Sequence, residues 1–452
     1  MALLLGIDLG TTYFKVGLFD EHGTLAGLGR VATDPVVPGP GRCVLPSEIF
    51  WERLRRALAE ALTQAGVSAG AIAGISYSSQ ANTFVLLDDR DVPLTPLILW
   101  TDVRGGAVPE RLRSFSRTEE FQRKVGFSEI SAEAAVSKWD WFLQHDPALA
   151  GRTRWLMTIS DYLAFGLTGE RVGDASTASM LGIYHLREQG WWTEALEAFG
   201  LQREKLVRTL RPGAYCGQTV ARAATLLGVP AGIPFAAGGL DHHIAAVAAG
   251  LGRFADVSIS TGTVLAATGV VDRVEPIPEC YHGPHVDGSR YFRLAFDPAG
   301  AGQLDDYQRR FAPDQSIEQL ISLAATAAPR KQPGGAIVYA AGDRDRGADV
   351  RYLLEKIARA QRELVRKVSG GQVVRMISAT GGGARSAAWL GISADILDVP
   401  IVTLACGERA CLGAAVLAAT AAGIYPNIGE ATKAMVHRDR VLMPRARPVA
   451  NS

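Results

Sequence analysis

Four short stretches of this chain set carboxylates, hydroxyls and flexible backbone side by side in ways that suit phosphate and proton chemistry. Asp8-Leu9-Gly10-Thr11-Thr12 ends an apolar run with a carboxylate beside turn amides and two hydroxyls. Amides in a tight turn bind phosphate oxygens, and the carboxylate can orient hydrated Mg²⁺. The same residues also suit a plain hairpin whose Asp caps the turn. Thr261-Gly262-Thr263 offers the same amide and hydroxyl chemistry. Alone it reads as a turn; paired with the first it becomes a candidate for the other side of a triphosphate. Neither is a Walker loop, because no G-x-x-x-x-G-K-[ST] occurs.

Gly238-Gly239-Leu240-Asp241-His242-His243 precedes an Ala-rich helix expected over 244–250. Asp241 is either an N-cap or a general base, since two glycines let a substrate approach the backbone closely. Adjacent His residues on a helix diverge, and no further His or Cys has ligand spacing, so a metal site at His242 and His243 is rejected. Gly381-Gly382-Gly383-Ala384-Arg385-Ser386 lies between an expected strand and helix. It is not G-x-G-x-x-G, and no acidic residue follows at the distance a dinucleotide ribose needs. A purine could lie on this flat glycine surface, or the loop could simply need left-handed backbone.

The elements that must hold these residues follow from apolar periodicity. Residues 3–7, 13–19 and the stretch from Thr24 read as a three-strand meander. Residues 47–65 read as a helix with Ile49, Leu54, Leu58 and Leu62 on one face. Strands are expected over 71–76 and 84–87, and a mostly helical, Trp-rich region over 129–200. The Trp residues there are expected mainly in the core. Residues 211–234, rich in Gly and Pro, read as a connector. Strand–turn–strand then recurs over 256–268. A strand is expected over 373–379, a helix over 387–397, a strand over 400–404 and a helix over 409–423. That last helix has a small-residue face at Ala410, Gly413, Ala414 and Ala418, suited to close packing.

Composition bounds the function. With 452 residues, 48% hydrophobic and 21% charged, the chain can bury a sizeable core. Its net charge of +1 provides no field to hold nucleic acid or an anionic membrane. Five cysteines without a C-x-x-C pair argue against a disulfide framework and a zinc site. The apolar start, Met1 to Leu5, is too short for a signal-peptide core or a membrane span, so a cytoplasmic protein is expected.

Taken together, the motifs resemble the FGGY carbohydrate kinase family, within the actin/hexokinase/Hsp70 fold. The resemblance covers nearly the whole chain in order. Residues 6–12 match the first phosphate motif. Ser78-Ser79-Gln80 with Leu86-Leu87-Asp88 is similar to the sugar-lobe S-G-Q…L-D. Trp100-Thr101-Asp102-Val103-Arg104 matches W-x-D-x-R, and Lys138-Trp139-Asp140-Trp141 resembles K-hydrophobic-x-W. Ser160-Asp161-Tyr162-Leu163 with Leu167-Thr168-Gly169 matches D-Y-L…L-T-G, and residues 174–179 resemble T-D-x-S-x-A-S. Gly239-Leu240-Asp241 occupies the catalytic aspartate position. Ser260-Thr261-Gly262-Thr263 is similar to the second phosphate motif and residues 381–386 to the adenosine motif. Residues 408–415 match E-x-x-x-L-G-A-A. This chain departs in three places. Asp241 is followed by two His residues, and Gln80 by Ala81-Asn82. The family's longer segment before the helix near 349–365, with its G-L…H signature, is reduced to Gly342–Gly347.

The resemblance implies an α/β fold of two actin-like (ribonuclease H-like) lobes flanking an interdomain cleft. It places a sugar-binding lobe over 1–233 and an ATP-binding lobe over 234–452, joined near Pro230–Pro234. The expected activity is ATP-dependent phosphorylation of a hydroxyl on a small ketose, such as a pentulose, or a polyol. In this reading Asp241 is the base and Asp8 holds Mg²⁺. Gly10, Thr11, Thr12, Thr261, Gly262, Thr263, Gly381, Gly382, Gly383 and Arg385 bind ATP. Gln80, Trp100, Asp102 and Asp241 meet the sugar. A homodimer is allowed. The rivals are a catalytically weak sugar- and nucleotide-binding regulator of the same fold and an Hsp70-like or actin-like ATPase serving a protein partner. The sugar-lobe motifs argue against the second.

Overall fold

The N-terminal apolar run forms β1 (Leu3–Leu9), buried at all seven positions. It pairs antiparallel with β2 (Tyr13–Phe19), and β2 pairs antiparallel with β3 (Leu25–Ala32), which is the expected meander. Helix α1 (Ser47–Ala65) has the expected bounds and ends on Gly66, whose φ of 66° is left-handed. Its buried face is Phe50, Leu54, Ala57, Leu58 and Ala61, with Ile49 and Leu62 flanking it. Each fully buried large apolar side chain there contributes about 1.5–3 kcal/mol.

This computed structural model describes residues 2–262, 264–298, 300–328 and 345–445. Packing divides the chain into two units. The first comprises Met1–Ala248, Val271–Phe292 and Glu408–His437. The second comprises Ala249–Val270, Arg293–Gly407 and Arg438–Ser452. The sequence-drawn boundary at 233/234 falls inside the first unit. Strand Pro234–Ala236 pairs antiparallel with Tyr215–Gln218 and parallel, through Phe235↔Ile75, with strand Ile72–Ser79. Residues 211–234 are therefore not a connector. Their Gly residues serve turns, as at Gly228 and Gly232 with φ of 94° and 93°.

In the first unit the main sheet runs Tyr215–Gln218, Pro234–Ala236, Ile72–Ser79, β1, β2, β3, with the short strand Gly239–Leu240 also on Ile72–Ser79. Helix Arg409–Ala421 packs on this sheet. Its approach is very close: a Cβ added at Gly6 would lie 1.9 Å from the Cys411 carbonyl oxygen. The small-residue face read from sequence is what permits this. The Trp-rich region is less helical than expected. Strand Trp155–Thr158 pairs with Phe84–Leu87, and Val172–Asp174 is also a strand. Long-range pairing overrode local helical periodicity there. Trp139 and Trp192 are buried in the core.

In the second unit the sheet includes, in order, Leu265–Val271, Val257–Thr261, Ile377–Thr380, Ile401–Leu404 and Arg438–Leu442. Helices Arg346–Val368 and Ala387–Leu397 belong to it. Thr263 lies outside the described residues, as does most of the shortened Gly342–Gly347 segment. All five cysteines are free thiols. Among the described residues no helix is long and apolar enough to cross a membrane.

Candidate functional site

In the first unit, sheet register sets the site. Asp8 pairs with Ser78 across one strand boundary, and Gly239 pairs with Ser78 from the other side. Both pairings are parallel, so all three strands end at the same sheet edge, and Asp8 and Gly239 lie roughly 10 Å apart. Asp241 follows two residues on, in the first turn of helix Asp241–Ala248. The carboxyl ends of parallel strands are where open α/β sheets gather their ligands.

Asp8 is 8% exposed. Ser78 Oγ donates to its Oδ1 at 3.4 Å, and Lys15 Nζ lies 3.9 Å from Oδ2. Burial pushes the Asp8 carboxyl up to about 7; Lys15 opposes this, while the charges of Asp241 and Glu408 add to it. The two carboxylates thus feel one another within one unit. Lys15 Nζ donates to Glu408 Oε2 at 3.0 Å, so it is shared between two acids. Lys15 and Glu408 were given no role from sequence. The available signal was a single Lys in an otherwise apolar strand, two residues past the Gly10–Tyr13 turn and opposite Asp8 in register.

The first turn is braced by the sugar-side candidates. Gln80 Nε2 donates to the Gly10 carbonyl at 3.2 Å, and Thr83 Oγ1 donates to Gln80 Oε1 at 2.9 Å. The Trp100 indole donates to Thr11 Oγ1 at 2.8 Å, and Trp100 remains 38% exposed. Thr12 is exposed. Asp102 is fully buried and fully engaged. Arg104 grips it with Nε on Oδ1 and Nη2 on Oδ2, both at 2.8 Å, and the Cys43 amide donates to Oδ2 at 2.8 Å. Burial alone would raise the Asp102 carboxyl, but these donors hold it below its ordinary value. Asp102 therefore orients Arg104, a residue quoted in the motif but left out of the candidate set.

Asp241 is half-buried, and the His242 amide donates to its Oδ1 at 2.7 Å. It sits inside the helix's first turn rather than ahead of it. Among the described residues no group of three or more His, Cys, Asp or Glu could hold an ion.

In the second unit, Thr261 ends strand Val257–Thr261, and Ile377–Thr380 runs parallel beside it with Ser260 opposite Thr380. The two loops, Thr261-Gly262 and Gly381–Ser386, therefore leave the same edge. They are packed together. A Cβ at Gly381, whose φ is 85°, would lie 2.6 Å from the Thr261 carbonyl oxygen, and one at Gly383 would lie 2.7 Å from Thr261 Cγ2. Gly382 and Arg385 are exposed. Gln361 of helix Arg346–Val368, unread in the sequence, donates from Nε2 to Thr261 Oγ1 at 2.7 Å. That leaves the Thr261 hydroxyl hydrogen free to donate.

Comparison with known proteins adds an independent line. The model of the FGGY carbohydrate kinase N-terminal domain matches residues 3–248, and that of the C-terminal domain matches 325–422. A xylulose kinase of Lactococcus lactis is 26% identical, with 100% of this chain and 94% of the relative covered. A gluconokinase of Bacillus licheniformis is 25% identical, covering 93% of this chain and 88% of the relative. The crystal structure of ligand-bound xylulose kinase from Lactobacillus acidophilus is similar with a TM-score of 0.85 at 20% identity. It covers 98% of this chain and 94% of that one. The fold is thus the actin-like α/β fold expected from the motifs. Both domain models match in chain order, and the first alone spans more than half of the residues; the chain belongs to the FGGY family of carbohydrate kinases.

Proposed function

We propose that this carbohydrate kinase transfers the γ-phosphoryl group of ATP to a hydroxyl of a small ketose, a pentulose in the first instance, or of a polyol. Relatives named xylulose kinase and gluconokinase support that substrate range. The observation that carries the residue assignment is the register that ends the Asp8 strand and the strand leading into Asp241 at one sheet edge, on either side of Ser78. Two carboxylates facing an anionic phosphate need distinct tasks. Asp241, half-exposed on a helix start, accepts the proton of the attacking hydroxyl. Asp8, buried and raised to about 7, suits a counter-cation.

Mg²⁺ fits that position. Asp8 is a buried oxygen donor at a strand end, the kind of ligand that one or two carboxylates supply to a Mg²⁺ that keeps most of its waters. When bound, Mg²⁺ neutralises charge on the transferring phosphates. Lys15, between Asp8 and Glu408, keeps the local charge balanced. Gly10, Thr11 and Thr12, and likewise Thr261, Gly262 and Thr263, are assigned to the phosphates through their amides and hydroxyls. Gly381, Gly382, Gly383 and Arg385 take the adenosine. Gln80, Trp100 and Asp102, the last through Arg104, shape the sugar side. In this assignment residues 1–233 supply most of the sugar contacts together with Asp8 and the first phosphate turn, and 234–452 the second phosphate turn and the adenosine contacts, with Asp241 serving the sugar hydroxyl.

Purified protein with ATP, Mg²⁺ and a panel of pentuloses, hexuloses, aldonates and polyols tests the reading. Sugar-stimulated ADP release is expected with one or a few members. ADP release that no sugar stimulates, or binding without turnover, would overturn it.

A further inference from the structure

The two His residues after Asp241 are a departure from the family pattern that the reading above leaves unused. His243 is fully buried. Its ring stacks on Phe292, with centroids 4.7 Å apart at 19°. Gly283 makes room for it, since a Cβ there would lie 2.2 Å from His243 Cε1. Its Nδ1 is 2.8 Å from Ser176 Oγ, which also accepts the Leu240 amide at 3.0 Å. Ser176 thus grips the chain one residue before Asp241 and two residues after it.

Ser176 is itself anchored. It lies in the short helix Ala175–Ala178, whose first turn is capped by Asp174, and Tyr77 Oη donates to Asp174 Oδ2 at 3.0 Å. Tyr77 precedes Ser78, the register partner of both Asp8 and Gly239. The backbone ahead of Asp241 is equally confined: a Cβ at Gly238 would lie 1.9 Å from the Tyr77 carbonyl oxygen, and one at Gly239 3.0 Å from Ser176 Oγ. Packing alone does not explain the choice of His. Its Nε2 is buried without a hydrogen-bond partner, a cost that an apolar side chain at this position avoids. Burial pushes the imidazole down to about 3, so the ring is neutral at any ordinary working pH. Because Ser176 Oγ already accepts the Leu240 amide, its own hydrogen is available to Nδ1.

We propose that Ser176 and His243 form a clamp that fixes the Asp241 carboxylate for proton abstraction, a positioning pair rather than catalytic residues. The proposal rests on Asp241 being the base. A base held in place by two hydrogen bonds to one hydroxyl keeps its geometry when substrate arrives, and a misplacement of about 1 Å is enough to cost ~10²-fold in rate.

The test uses the full chain with ATP, Mg²⁺ and the best sugar from the panel. The variants are His243→Leu, His243→Asn, Ser176→Ala, the double variant Ser176→Ala/His243→Leu, and Asp241→Asn. Asn places a polar atom near the position of Nδ1 but packs worse than Leu against Phe292. The clamp therefore expects His243→Leu and Ser176→Ala to lose ~10–100-fold in kcat with sugar Kd within about twofold of wild type. His243→Asn should recover much of that loss although it melts lower than His243→Leu. The double variant should be no worse than the more damaged single one, because both remove one device. If Asn is no better than Leu, if sugar affinity falls in step with kcat, or if the two single losses multiply, the clamp is wrong and His243 only fills space. Should His243→Leu fail to fold, Ser176→Ala, the smaller change, carries the same kcat-against-Kd comparison. Asp241→Asn separates the two failures. Near-normal turnover there removes the base assignment itself, whereas an inactive Asp241→Asn beside a fully active His243→Leu removes only the clamp.

Discussion

Gly413→Ala is the sharpest probe of how closely the Asp241 helix is held. Gly413 lies in helix Arg409–Ala421 and faces helix Asp241–Ala248. A Cβ there would sit 2.1 Å from the Ile244 carbonyl oxygen and 2.8 Å from Ile244 Cγ2. Real Cβ atoms essentially never approach another heavy atom closer than 3.0 Å, so 3.0 − 2.1 leaves 0.9 Å to be made up. The nearer obstacle is backbone, and no rotamer change relieves it. The helices must part, and Ile244 is less than one turn from Asp241. Overpacking of this kind costs about 1–3 kcal/mol of stability. If Asp241 is the base, as proposed, a shift of about 1 Å there corresponds to ~10²-fold in kcat, or about 2.7 kcal/mol of barrier. The assay is coupled ADP release with the best sugar, alongside sugar binding by calorimetry and thermal melting. We expect a folded protein with a lower Tm, kcat down by ~10²-fold and sugar affinity changed much less. Gly391→Ala is the control: it is also helical, but nothing lies within 4 Å of the added Cβ, so it should be neutral or slightly stabilising. A Gly413→Ala enzyme with kcat within about threefold of wild type would refute the claim that this packing sets the position of Asp241 for catalysis.

Asp241→Asn should lower kcat by ~10²–10⁴-fold while leaving sugar affinity near wild type, since an amide keeps the shape but takes no proton; single-turnover kinetics and calorimetry check this. Asp8→Ala should raise the Mg²⁺ concentration needed for half-maximal turnover and spare sugar binding, read by titrating Mg²⁺ against rate; an unchanged titration with normal turnover would leave Asp8 as a turn cap. Lys138 is buried against the Asn82 and Leu99 carbonyls, and burial pushes its ammonium down from 10.5 to about 7. Between those pH values the unfolded chain binds more protons than the folded one, so stability should rise with pH by up to about 1.4 kcal/mol per unit across that window. The penalty is full below about 7 and gone above 10.5. Urea unfolding at stepped pH values should show Lys138→Met losing that slope; parallel curves for wild type and variant would contradict it.

Where residues act through their neighbours in sequence, the structure agrees with the reading from sequence. The β1–β2–β3 meander, α1 and helix Ala387–Leu397 were legible because strand alternation, helical spacing and turn glycines are short-range signals. The site motifs were legible for a related reason: Asp8, Thr261 and Gly381–Ser386 all sit where a strand ends, and strand ends announce themselves by Gly and hydroxyl residues after an apolar run. Residues 211–234 were misread because Gly and Pro mark turns whether or not the flanking strands pair elsewhere, and Phe235↔Ile75 is a pairing no local pattern encodes. The Trp-rich region failed likewise, since Trp155–Thr158 is a strand only because Phe84–Leu87 accepts it.

By itself, then, the sequence determined the order of the motifs that resemble the family's, and with it the kinase family. Tertiary structure alone decided which residues brace them. Lys15 reaches Glu408 from a position far away along the chain, Gln361 meets Thr261 across two elements, and Ser176 grips both sides of Asp241. It also placed Asp241 with the first unit rather than the second. The physical reason is one of range. Turn and helix chemistry is settled within a few residues, where backbone sterics act. A buried hydrogen bond or a Cβ-free helix contact exists only once distant strands have paired and excluded water.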